Sequence, residues 1–257
     1  MLTIPNLEST ILAMAFVGLR ISGLLVFAPF FSNAAIAPRI KVGLTVALTA
    51  LLYPVCGPRG LMLTQGGLLK VGLAETMIGL LIGLAVQLVL EAAQLGGQLM
   101  GFQVGFSLVN IIDPTTQVDT PVLSLFSETV TLLLFLAMDI HHWLLRGVAA
   151  SFTYLPAGAG LGQGAVVNEL FHAAAGIWLA GVQIAAPLLL ATLMIDFVLG
   201  FLGKASPQLP ALFLGLSLKS MVGLAALAFS LKFWPGLLGR YFTLSIHWSE
   251  RMLHLAV

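Results

Sequence analysis

Charge is the scarcest property of this chain. Only 8% of its 257 residues are charged, whereas 59% are hydrophobic. A soluble domain carries roughly 25% charged residues. A chain this poor in charge cannot cover its apolar surface as a water-soluble globule. It is an integral membrane protein, or it is buried in a large assembly. The formal net charge of +1 leaves no basic footprint for nucleic acid. A single cysteine, Cys56, excludes an internal disulfide and a thiolate metal cluster, and it reads as a small apolar filler.

Catalytic signatures are missing as well. The sequence holds no GxxxxGK[ST] phosphate loop, HExxH, GxSxG or CxxC, the patterns that set up phosphate binding, metal hydrolysis, nucleophilic attack or redox chemistry. His141-His142 looks like a metal pair. Adjacent helical residues point about 100° apart, which argues against both facing one ion. Asp139 and His142 are spaced to share a hydrogen bond on one face. No enzyme activity, no cofactor and no metal are expected, so energy for any transport comes from elsewhere. Glu8 is the only charge before the first apolar run, unlike the basic start of a secretory signal. Insertion is expected to rely on the helices themselves.

What is present is apolar sequence in about six blocks. They run from Thr10 to Phe31, Val42 to Val55, Leu68 through Gly105, Val122 to about Leu145, Phe171 to Leu202, and Ala211 to Phe233. The second is short for a span that needs about 20 residues. The third is long enough for one extended helix or for two meeting near Gly96-Gly97. Pro187 is expected to kink the fifth. Connectors are marked by Pro38, by Gly57-Pro58 and Gly60, by Pro156 to Gly164, and by Ser206 to Pro210. The tail, Trp234 to Val257, reads as amphipathic turns suited to a membrane surface or a partner. Positive charges do not fall on alternate connectors, which disfavours a simple serpentine. No repeat relates the two halves.

Five charges sit inside apolar blocks: Arg20, Glu75, Glu91, Asp196 and Lys219. A charge near a bilayer centre costs at least about 2.5–3.5 kcal/mol. They are expected to pair between helices or between subunits; an ion or proton relay is the alternative.

The organising stretch is Gly96 to Pro121, GGQLMGFQVGFSLVNIIDPTTQVDTP. Gly97, Gly101 and Gly105 recur every fourth residue, so they align on one helix face. Such a face lets another backbone approach closely. Phe106 to Ile112 continues as an apolar segment, and Asp113-Pro114 ends it, since the residue before proline leaves the helical region. Irregular backbone in a membrane is tolerated where protein buries it or where it lines a cavity. The loop is therefore a candidate pore element.

Several strings together resemble the FliR family, the export-gate subunit of the flagellar type III secretion system. They are Arg20 with Pro29-Phe30; Ala37-Pro38-Arg39; Glu75 with Ile78 to Gly83; Gly96 to Ser107; Asp113-Pro114; Leu134-Phe135-Leu136 leading to His141; Ser151-Phe152 with Leu155 to Gly158; Ala185-Ala186-Pro187; and Ser206 to Leu209. Order and spacing match from about residue 10 to 230.

The resemblance implies an all-α, polytopic membrane protein of about six hydrophobic helices packed as hairpins. It would be a single export-gate domain over 1–257, with a FliP-like part to about 170 and a FliQ-like part and tail from about 171. It implies assembly with FliP, FliQ and FlhB in the bacterial inner membrane at the flagellar basal body, in contact with lipid and, transiently, with unfolded export substrates. The family's pore plug corresponds to Phe106, Leu108, Val109, Ile111, Ile112, Asp113 and Pro114. The equivalent subunit of a virulence injectisome is the near alternative. A secondary transporter or ion channel using Asp196, Glu75 and Lys219 is the more distant one.

Overall fold

The computed structural model describes residues 7–29, 31–32, 36–56, 65–106, 122–155, 163–206 and 211–255. Among the described residues every regular element is a helix: α1 (Leu7–Phe27), α2 (Pro38–Cys56), α3 (Gln65–Val104), α4 (Val122–Ala137), α5 (Ile140–Tyr154), α6 (Gln163–Ala205), α7 (Ala211–Ser230), a 3-10 turn (Leu231–Phe233) and α8 (Trp234–Leu255). This follows from composition. Where water is absent, each backbone N–H and C=O must be satisfied inside its own segment, and a helix does that. Among the described residues four stretches are long and apolar enough to cross a membrane, Thr10–Phe27, Gly67–Val104, Phe171–Ala205 and Gly215–Met252, and α4 with α5 makes a bent fifth. The chain is an all-α, polytopic membrane protein.

The third apolar block is one helix, without a break at Gly96-Gly97. With 40 residues, α3 is about 60 Å long, twice the roughly 30 Å of a hydrocarbon core. It stops at Val104, ahead of the Asp113-Pro114 stop read from the sequence. Pro187 lies inside α6 and does not end it.

The fourth block differs more. It is two helices bent by 66°, and the second runs on to Tyr154 instead of stopping near Leu145. The corner is Asp139, in the left-handed region at φ 56°. Aspartate is one of the few residues besides glycine that visits that region as a single turn residue. Asp139 and His141-His142 interrupt the apolar run at the corner, but no glycine or proline marks a break there, so the sequence reads as one block. The connector read at Pro156 to Gly164 is also shorter than expected, since α6 begins at Gln163.

The tail is a full helix whose inward stripe is set by sequence spacing. Trp234, Leu238, Phe242, Ser245, Ser249 and Met252 are all buried. Steps of three and four residues place them on one face. That stripe packs within the chain, whereas the sequence suggested a membrane surface or a partner.

By packing, the chain divides into two interleaved units. Unit 1 combines Met1–Leu88, Phe135–Ala174 and Phe242–Val257; unit 2 combines Val89–Leu134 and Ala175–Tyr241. This division is a different property from the fusion of two parts that the resemblance implies. The core of unit 1 includes Val17, Ile21 and Leu24 of α1 and Ile78, Ile82 and Ala85 of α3. The core of unit 2 includes Ala93, Met100 and Val104 of α3, Ile184 and Leu188 of α6, and Trp234 and Leu238 of α8.

Candidate functional site

In unit 1, α1 and α3 are in backbone contact, and glycine makes it possible. A Cβ on Gly23 would fall on the carbonyl oxygen of Thr76, and one on Gly79 on the carbonyl oxygen of Arg20. At Gly83 it would lie 2.6 Å from the Leu24 carbonyl oxygen. Only hydrogen fits at these positions. The signal was present in the sequence: Gly79 and Gly83 form a GxxxG pair in an apolar helix, the spacing that permits close crossings in membranes.

This contact seats Arg20 among polar partners. Arg20 Nε donates to Glu75 Oε2 at 2.6 Å, and Nη2 is also 2.6 Å from that oxygen. Arg20 Nη1 donates to Ser151 Oγ at 2.9 Å, and Nη2 to the Leu155 carbonyl at 3.1 Å. The Ser151 hydroxyl in turn donates to the Val148 carbonyl at 2.6 Å. The guanidinium carbon sits 3.8 Å from the centre of the Phe152 ring. Both charged side chains are 0% exposed. A buried pair is sustained only when the remaining donors are also satisfied, and the planar, multi-donor guanidinium suits such a cage better than an ammonium. The cage ties α1, α3 and α5 together. Ser151, Phe152 and Leu155 stood in the matching strings, but nothing in their spacing from Arg20 announced the contact.

In unit 2, the end of α3 is held on three sides. Gly97 faces α4: a Cβ there would be 2.5 Å from the Leu123 carbonyl oxygen and from Ser124 Cα. Ser124, fully buried, donates to the Gln94 carbonyl at 3.0 Å. Gly96 faces α6, where a Cβ would be 2.9 Å from the Gly181 carbonyl oxygen. Val104 faces α7: a Cβ on Gly223 would be 2.7 Å from Val104 Cγ2. Ser220 Oγ lies 3.0 Å from the Val104 carbonyl and 2.9 Å from that of Leu216, so it can serve the orphaned last turn of α3. Gly96, Gly181, Ser220 and Gly223 were not anticipated as packing residues.

Gly101 is buried, whereas Gly105 has a different task. It takes φ 89°, its N–H donates to the Phe102 carbonyl at 3.2 Å, and the Phe106 N–H reaches the Gly101 carbonyl at 3.1 Å. This pair of bonds is the Schellman stop, in which glycine accepts the left-handed position without strain. Gly105 therefore turns the chain out of α3. Phe106 follows it, about one third exposed. Leu108, Val109, Ile111, Ile112, Asp113 and Pro114 lie outside the described residues.

Asp196 and Lys219 pair across α6 and α7 at 2.5 Å, and Gln103 of α3 donates to Asp196 at 3.4 Å. Asp196 is 45% exposed, so this pair, unlike that of Arg20, is not enclosed by the chain. Glu91 is exposed. Of the five embedded charges, two close a buried cage in unit 1 and two a surface pair in unit 2.

A helical membrane protein with a buried arginine cage and a glycine-clamped helix end is the class these observations define. The family model described as bacterial export proteins, family 1, matches residues 11–245. Flagellar biosynthetic protein FliR of Escherichia coli (strain K12) is 29% identical over 210 residues, covering 82% of this chain and 80% of that one. FliR of Bacillus subtilis (strain 168) is 27% identical over 247 residues, 95% of each. FliR of Pectobacterium carotovorum is 30% identical over 216 residues, 84% of this chain and 83% of the relative. The chain belongs to the bacterial export proteins, family 1, the family of FliR. It is a membrane-embedded component of the flagellar export apparatus.

Proposed function

We propose that the chain is a non-enzymatic core subunit of the flagellar export gate in the bacterial inner membrane. Together with FliP, FliQ and FlhB it would form and seal the passage for unfolded flagellar subunits. The observation that carries this reading is the clamp on α3. Its last turns are fixed by α4, α6 and α7 immediately before Gly105 turns the chain into the 106–121 segment, whose first part, Phe106 to Ile112, is apolar. A seal needs a firm base and a yielding tip. The glycine contacts and Ser220 supply the base. The tip would be Phe106, Leu108, Val109, Ile111 and Ile112, with Asp113-Pro114 limiting its length. An apolar constriction closes to ions by excluding water, yet it can part around a passing polypeptide.

Shortening the segment between 107 and 120 tests this. Membrane conductance should rise while flagellar subunits are still exported. Wild-type conductance together with normal export would remove the segment from the seal.

A further inference from the structure

We propose that Asp139, His141 and His142 form a site for a divalent transition metal of the zinc, cobalt or nickel type, at the corner between α4 and α5. Each offers one ligand atom, and the three atoms lie within 4.8 Å of one another. His142 Nδ1 is 3.4 Å from Asp139 Oδ1. His141 Nε2 is 4.0 Å from the same oxygen, and the two imidazole centres are 4.1 Å apart. Bonds of about 2.0–2.1 Å in a tetrahedron place ligand atoms roughly 3.3 Å apart, so small side-chain rotations complete the geometry.

The sequence argued otherwise, because neighbouring helical residues diverge by about 100°. That angle describes where Cα–Cβ bonds point along a regular helix. Here both histidines stand in the first turn of α5, and their rings swing together beyond Cβ. The left-handed backbone of Asp139 brings its carboxylate over the same turn. It leaves that carboxylate without a capping hydrogen bond to α5.

The chemistry selects the ion class. Two imidazoles and one carboxylate suit borderline transition metals, whereas calcium and magnesium prefer all-oxygen sets. The helix dipoles are balanced: the positive start of α5 is opposed by the carbonyl end of α4 and by the Asp139 charge. The Asp139 and His142 side chains are 69% and 59% exposed, so the described part of the chain leaves the site open to an ion. Phe135, buried, closes the inner side with its ring 6.3 Å from that of His141. A tetrahedral ion held by these three groups would take its fourth ligand from elsewhere. A bound ion would clip the corner and hold Asp139 in its left-handed state. None of this depends on the export reading.

The test is titration of the full-length chain, in mild detergent and without a polyhistidine tag, with cobalt(II) alone. The expected result is one equivalent bound with visible d–d absorption. Asp139→Asn and His142→Asn should each weaken binding by about tenfold or more. His247→Asn is the control, because His247 lies near another acid, Glu250, at 3.5 Å; it should leave binding unchanged. Asparagine tolerates the left-handed region and His142 is exposed, so both variants retain the fold, which circular dichroism verifies. Absence of a cobalt band, or a band that survives both ligand changes, overturns the proposal, as does one lost equally in His247→Asn.

Discussion

Arg20 and Glu75, 55 residues apart, share a carboxylate oxygen at 2.6 Å with neither side chain reaching solvent. Their relationship is lopsided: removal of one partner leaves the other as a buried charge. Breaking such a pair costs about 3–5 kcal/mol, while replacing both partners by apolar groups is often near neutral. Glu75→Ala should therefore lower thermal stability in detergent far more than the double change Arg20→Met with Glu75→Leu. Arg20→Lys should rescue little, because one ammonium cannot reach Glu75, Ser151 and the Leu155 carbonyl together. Equal losses in the single and double variants would show that the cost does not come from an orphaned buried charge.

Glycines on different faces should respond in opposite directions to the same methyl group. Gly79→Ala places its Cβ on the Arg20 carbonyl, so α1 and α3 must separate; overpacking of this kind costs about 1–3 kcal/mol or more. Gly43, in α2, has nothing within 4 Å of an added Cβ. There alanine should stabilise by roughly 0.5–1 kcal/mol through helix propensity. Thermal melts of the two variants in the same detergent would check this, and a Gly79→Ala protein as stable as wild type would contradict the close crossing.

Gly105 makes a conformational prediction. Its φ of 89° costs an L-residue with a Cβ about 1–2 kcal/mol. Gly105→Ala should destabilise by that amount, and Gly105→Asn by less, since asparagine also serves at this position. If the turn aims the following segment, Gly105→Ala should also raise membrane conductance. Conductance and stability measured on both variants separate aiming from folding.

Much of the helical architecture was legible in the chain because apolar runs and Gly/Pro punctuation report directly on it. Arg20, Glu75, Asp196 and Lys219 stood out for the same reason, as charges where charge is costly. Their partners did not, because pairing is a long-range property and hydropathy is local. The Asp139 corner lacks the glycine or proline that punctuates the other breaks, so it reads as continuous. Gly105 was read as the third member of a packing ladder, since spacing cannot distinguish a glycine that admits a neighbour from one that admits a positive φ. The 79/83 pair carried the same spacing signal as Gly97 and Gly101, and was overshadowed by the longer run.

The Arg20 cage has a consequence for synthesis. Its partners lie 55, 131 and 135 residues downstream. At about 5–20 residues per second, Glu75 leaves the ribosome roughly 3 to 11 seconds after Arg20, and Leu155 roughly 7 to 27 seconds after. Throughout that interval α1 carries a cation whose native neighbours do not yet exist. Its final seating in the bilayer therefore waits on the arrival of α3, and then of α5. The earliest of the described helices to be made is among the last to be finished.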